Sequence, residues 1–114
     1  MQQYVTNETS HLEILKDGKV SRRIKSYNNN IMLVEVYFQN NAIGEVHQHE
    51  HEQISYCVEG EFDYSIEDKV YHLKKGDTIY VPKQLMHGCK LLSPKGTLLD
   101  IFTPYREDFI NNNN

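Results

Sequence analysis

Turn-forming residues recur along this chain at short, regular intervals: Asp17-Gly18, residues 28–30 and 40–44, Glu59-Gly60, Glu67-Asp68, Lys75-Gly76-Asp77 and Ser93-Pro94-Lys95-Gly96. The segments between them are strand-sized. Several alternate cleanly: Phe62, Tyr64 and Ile66 share one side of a segment whose other side carries Glu61, Asp63 and Ser65, the pattern of a strand with one wet face. No segment before Thr103 carries a helical period. Many short strands at this spacing specify an all-β fold, an antiparallel sandwich or barrel.

Two stretches depart from that pattern. Residues 31–38 place Met32, Val34, Val36 and Phe38 on one face, and Ile31, Leu33 and Tyr37 on the other, interrupted only by Glu35. Both faces call for burial. One lines the core, and the other is covered either by a second copy of the chain or by its own N-terminal segment. At the other end, Thr103-Pro104 reads as an N-cap followed by proline at the first helical position, with Glu107 and Asp108 early in the helix. A short terminal helix is expected, ending in the asparagines of residues 111–114, which have nothing to bury and are expected to fray.

At 114 residues the chain is expected to make one domain over residues 1–110, with one hydrophobic core. Its formal charge is −4, and the Lys and Arg residues form no cluster of the kind polyphosphate recognition needs, so nucleic acid is not an expected partner. No apolar run approaches membrane-spanning length, and residues 1–10 have neither the basic start nor the apolar middle of a signal peptide, which reads as a cytoplasmic protein. In that compartment Cys57 and Cys89 are expected to be reduced core residues.

The chemistry concentrates in His47-x-His49-x-x-x-Gln53 and a later His87. Two histidines two apart on a strand point to one face and make a chelating pair. Neutral imidazole is a common ligand for Zn, Ni, Cu and Fe, so a third imidazole and an amide oxygen converging on the pair would complete a metal site. His51 extends the run, but counting from His49-x-His51 puts Ser55 at the fourth ligand and breaks the spacing to Gly60. His51 is therefore a loop residue near the mouth. Gln53 is in phase with Ser55 and Cys57, small residues suited to a crowded interior, and is expected to point inward. His11 and His72 stand alone and are expected to be exposed.

These residues resemble the motifs of the cupins. A first cupin motif, running from glycine through His-x-His and a glutamate to a second glycine, falls on Asn41, His47, His49, Gln53 and Gly60. A second falls on Gly76, Pro82, Gln84, His87 and Leu91. The resemblance implies a jelly-roll β-barrel of antiparallel strands with the short C-terminal helix appended. Asn41 replaces a glycine mildly, because asparagine tolerates a left-handed backbone. Gln84 for glycine and Leu91 for asparagine imply a differently shaped turn. Gln53 for glutamate removes the anionic ligand, which leaves the charge of a bound cation uncompensated and favours an anionic substrate and Lewis-acid chemistry.

Toward the C-terminus, Asp100-x-Phe102-x-x-x-Arg106 together with the glutamine ligand makes the chain similar to the KdgF family of pectin-degradation proteins. That resemblance implies a compact, usually dimeric cupin holding one divalent transition metal per chain (Ni, Zn, Fe, Mn or Co) through His47, His49, Gln53 and His87. It also implies an enzyme that converts cyclic 4,5-unsaturated monouronates from pectin or alginate into the linear keto form, with catalytic or substrate-binding roles for Asp100, Phe102 and Arg106. On the residues alone, Asp100 shares a strand face with Leu98 and Phe102, so its carboxyl either has a raised pKa suited to proton transfer or pairs with Arg106 to tie the last strand to the helix. Arg106 suits a uronate carboxylate held bidentately. Phe102 on its own reads as core. The alternatives are another metal-dependent cupin isomerase or oxygenase acting on a small acid, and a non-enzymatic cupin that binds a small molecule.

Overall fold

The computed structural model describes residues 1–15 and 18–111. The expected turn at Asp17-Gly18 lies partly outside these residues, as do the asparagines at positions 112–114. Among the described residues the strands are β1 (Leu12–Leu15), β2 (Val20–Tyr27), β3 (Met32–Gln39), β4 (Ile43–His47), β5 (Glu52–Glu59), β6 (Phe62–Ile66), β7 (Lys69–Leu73), β8 (Thr78–Val81), β9 (His87–Leu91) and β10 (Lys95–Thr103), followed by α1 (Glu107–Asn111). They form a six-stranded sheet, β1-β2-β3-β10-β5-β8, and a four-stranded sheet, β4-β9-β6-β7. Every strand pair is antiparallel. The all-β expectation holds, and the breaks between strands follow the turn signals.

Alternation decides which residues meet between the sheets. On β5, Gln53, Ser55 and Cys57 are buried while Ile54, Tyr56 and Val58 are exposed. On β6, Phe62 and Tyr64 point inward. The main core gathers Phe38, Phe62, Leu91 and Leu98, with the Phe38 and Phe62 rings edge to face at 5.1 Å, an arrangement that stabilises beyond area burial alone. Cys57 and Cys89 are free thiols. Two backbone positions matter for closure. Asn41 adopts φ 61°, as an asparagine in place of glycine can. Gly60 has φ +88°, and a Cβ there would lie 2.6 Å from the Lys95 carbonyl oxygen, so both conformation and space exclude other residues.

Gly96 is constrained by packing. A Cβ on it would come within 2.6 Å of Phe62 Cζ and 2.8 Å of Leu91 Cδ1, both in the fully buried part of the core. Gly96→Ala is therefore expected to destabilise the fold by about 1–3 kcal/mol through overpacking, read as a lower denaturation midpoint with an unchanged slope.

The C-terminus differs from its sequence reading. Thr103 is not an N-cap. It is the last residue of β10, paired with Glu52 of β5, and the helix begins only at Glu107. A complete ladder partner keeps Thr103 extended, which a local capping signal does not reveal. Five residues do not make a stable helix alone. Phe109 and Ile110 instead dock it on a second buried cluster of Met32, Val34 and Phe102. Asn111 closes the helix.

Strand β3 sits inside the six-stranded sheet, between β2 and β10. Met32, Val34 and Phe38 are buried, while Leu33, Glu35 and Tyr37 on the outer face are only half-buried. Tyr37 donates a hydrogen bond to Glu35 at 2.6 Å, and Lys25 pairs with the same carboxylate at 3.3 Å.

Candidate metal centre

Three imidazoles meet at one end of the barrel, contributed by both motifs. His47 ends β4 and is paired in register with His87, which opens β9. His49 lies beyond the end of β4, so the two motif histidines do not form a simple same-face strand pair. His49 is held instead by its own loop. Its Nδ1 lies 2.9 Å from the His51 carbonyl, and its carbonyl accepts the Gln84 N–H at 2.7 Å. Gln84 itself has φ 68°, so it keeps the left-handed conformation a glycine would supply and is not the differently shaped turn expected from its replacement. The ring centroids of His87 lie 4.3 Å from His47 and 4.7 Å from His49.

The tautomers follow from the partners of Nδ1. His47 Nδ1 lies 2.8 Å from the Glu45 carbonyl, and His87 Nδ1 lies 2.9 Å from the Leu85 carbonyl, as His49 Nδ1 does from that of His51. A carbonyl only accepts, so each Nδ1 carries a proton and each Nε2 presents a lone pair. Candidate ligand atoms of the three rings lie within 4.8 Å of one another. His87 Nε2 is buried without a hydrogen-bond partner among the described residues. Gln53 Oε1 sits 3.0 Å from His49 Nε2, an acceptor facing an acceptor. Burial, more than the nearby Arg106 charge, lowers the pKa of His49, and burial also pushes His87 down to about 4, so both rings are neutral at physiological pH. Four lone pairs with no proton between them fit a cation, and the nitrogen and oxygen donors suit a borderline divalent metal.

Gln53 points inward as expected. Its Nε2 donates to Ser55 Oγ at 2.9 Å and to Tyr64 Oη at 3.1 Å, and Ser55 Oγ donates to Asp100 Oδ1 at 2.6 Å. Asp100 stands opposite Ser55 in the β10–β5 register. Burial raises its carboxyl pKa to about 6, opposed by the hydrogen bonds from Ser55 and Gln53 and by the charge of Arg106. Phe102 is 5.7 Å from the His49 ring. Asp100, Phe102, Arg106, His47, Gln53 and His87 all line one cavity of about 380 Å³.

Arg106 pairs with Asp108, which the sequence marked only as an acid early in the helix. Its Nε and Nη2 donate to Asp108 at 3.0 and 2.7 Å, so the ion pair at the helix start is Arg106 with Asp108. The guanidinium lies 4.1 Å over Phe109. His51 is indeed a loop residue beside the site, its Nε2 3.1 Å from the Tyr105 carbonyl. His72 is exposed but not isolated, since Glu61 and Asp63 flank its ring at 3.0 and 3.1 Å.

Arg22 also lines the cavity, 3.7 Å over the same Phe109 ring that Arg106 stacks on, and paired with Glu13 at 2.5 Å. Nothing in the motifs pointed to it. The available signal was its phase: on β2, Arg22 alternates with Val20 and Ile24, an arginine on the apolar side of a strand. Ser55 and Tyr64 were visible as inward residues but not as partners of Gln53.

This barrel, with its histidine cluster at one mouth, has known relatives. Residues 34–102 match the family model of the Cupin domain. The chain is 37% identical over 111 residues to the pectin degradation protein KdgF of Dickeya dadantii (strain 3937), covering 96% of this chain and all of that one. An RmlC-like cupin from Shewanella frigidimarina NCIMB 400 superposes with a TM-score of 0.87 at 37% identity, covering 96% of this chain and 99% of its own. KdgF from Halomonas sp. gives a TM-score of 0.87 at 32% identity with the same coverage. The chain belongs to the cupin family, and among cupins it groups with KdgF. No helix among the described residues is long and apolar enough to cross a membrane.

Proposed function

We propose that this chain is a metal-dependent cupin that opens cyclic 4,5-unsaturated monouronates, released in pectin or alginate breakdown, to their linear keto form. The observation that carries the reading is a cluster of three imidazoles with the Gln53 amide oxygen 3.0 Å from one of them, beside a cavity that His47, Gln53 and His87 line together with the Asp100 carboxyl, whose pKa is raised, and the Arg106 guanidinium. His47, His49, Gln53 and His87 would hold one divalent transition metal, which when bound supplies Lewis-acid polarisation of substrate oxygen. With Gln53 in place of an acid the donor set is neutral, so the site attracts an anionic sugar acid.

The residues divide the remaining work. Arg106 draws in the substrate carboxylate, braced by Asp108 and stacked on Phe109. Asp100 exchanges a proton at Oδ with the ring-opening or ketonising substrate, and a pKa near 6 suits transfer in either direction near neutrality. Phe102 forms the wall that keeps water from the reacting face. The unsaturated products of pectate lyase and of alginate lyase, offered in parallel to metal-loaded protein, test the substrate class. Consumption of either above the buffer rate supports the reading; consumption of neither contradicts it.

The same reading includes a dimer formed through the outer face of the six-stranded sheet. On that face Ile101 lies opposite both Leu33 and Ile54, Leu99 lies opposite Tyr56, and Ile54 lies opposite Tyr80. Ile54, Tyr56 and Tyr80 are 43, 41 and 52% exposed, a contiguous apolar patch of the kind that an isologous contact covers. Light scattering is expected to give twice the chain mass at micromolar concentration, and a monomer mass there would rule the dimer out.

A further inference from the structure

The amide at position 53 sits in a hydrogen-bond chain with a fixed direction. Ser55 has one hydroxyl proton, and it points at Asp100 Oδ1 across 2.6 Å. Ser55 Oγ is then an acceptor toward position 53, 2.9 Å away, and Tyr64 Oη accepts there as well at 3.1 Å. Only a donor satisfies both, so the Gln53 NH2 must face this pair and its oxygen must face His49. Ser55 is fully buried, and Tyr64 and Gln53 are 3 and 5% exposed, so water does not supply a substitute. A carboxylate at position 53 would set an acceptor against Ser55 Oγ and a second negative charge beside Asp100.

We propose that Ser55 and Tyr64 are positioning residues that fix the Gln53 amide oxygen toward the histidines, and that Asp100, by accepting the Ser55 hydrogen bond, makes an amide obligatory at position 53. The inference rests on the reading of Gln53 as a ligand, and it explains why this site lacks an acidic one. It also implies that the chain can be reversed as a unit. With asparagine at position 100 donating to Ser55, the hydroxyl is free to donate to a carboxylate at position 53.

A double-mutant cycle on the full chain tests this without substrate. Thermal melts with chelator present, at mildly alkaline pH, compare wild type, Gln53→Glu, Asp100→Asn and the double variant. Gln53→Glu is expected to lower Tm by several degrees beside Asp100 and by less than half as much beside the asparagine. Equal losses in the two backgrounds would overturn the proposal. Separately, Ser55→Ala and Tyr64→Phe are expected to weaken Zn2+ binding by about tenfold or more, measured by competition with a chromogenic chelator. Wild-type affinity in both folded variants would also overturn it. Failure of the chain to turn over any uronate would leave these readouts unaffected, so the two proposals fail separately.

Discussion

His87→Ala is expected to empty the proposed metal site. His87 is 2% exposed, and its ring lies 4.3 Å from that of His47 and 4.7 Å from that of His49, with Nε2 unpartnered among the described residues. Removing it leaves two imidazoles and a weak amide donor, of which His47 stands at the exposed mouth. Residues that merely orient a ligand cost about 10–100-fold in metal affinity when lost, so deleting a ligand is expected to cost more than about 100-fold. Elemental analysis of the purified variant should find the metal nearly absent, against about one ion per wild-type chain. Full occupancy would show that the three rings do not form the site.

Asp100→Asn is expected to produce the second large effect, on rate. The amide keeps the shape of the carboxyl and can accept the Ser55 hydrogen bond, but it cannot exchange a proton, so turnover is expected to fall by about 100- to 10,000-fold with metal content unchanged. Stability moves the other way. The folded pKa of Asp100, about 6, lies above its ordinary value of 3.8, so the folded state disfavours the charged form and loses stability as pH rises through that window. At mildly alkaline pH wild type bears that cost and the variant does not, so Tm should be unchanged or higher. Arg106→Ala should instead raise KM by roughly tenfold to a hundredfold, the loss expected for a charge-assisted hydrogen bond. If Asp100 were structural, its variant would lose stability and keep its rate.

How far the sequence reached depends on whether a signal was local. Alternation placed Phe62, Tyr64, Gln53 and Ser55 inward, because a strand residue's facing is set by its own neighbours. Motif spacing marked the three histidines without showing how they meet. Long-range pairing was not legible. Thr103 looked like a cap until its ladder partner Glu52 was in view. His49 looked like a strand residue, although the Gln84 N–H holds it in a loop. Arg106 looked free to pair with Asp100, but Asp108, two residues on, takes it bidentately. Gln84 shows a further limit, since a poor residue for a left-handed turn still adopts it where the surrounding contacts demand it. The link from Gln53 through Ser55 to Asp100 joins strands distant in sequence and needed the β10–β5 register.

The most direct measurement is a time course of an unsaturated monouronate incubated with metal-loaded wild type, with the Asp100→Asn variant carrying the same metal, and with buffer. Wild type should consume the substrate to completion well ahead of buffer, and the variant should track buffer. A wild-type rate equal to that of buffer, or a variant as fast as wild type, would contradict the account.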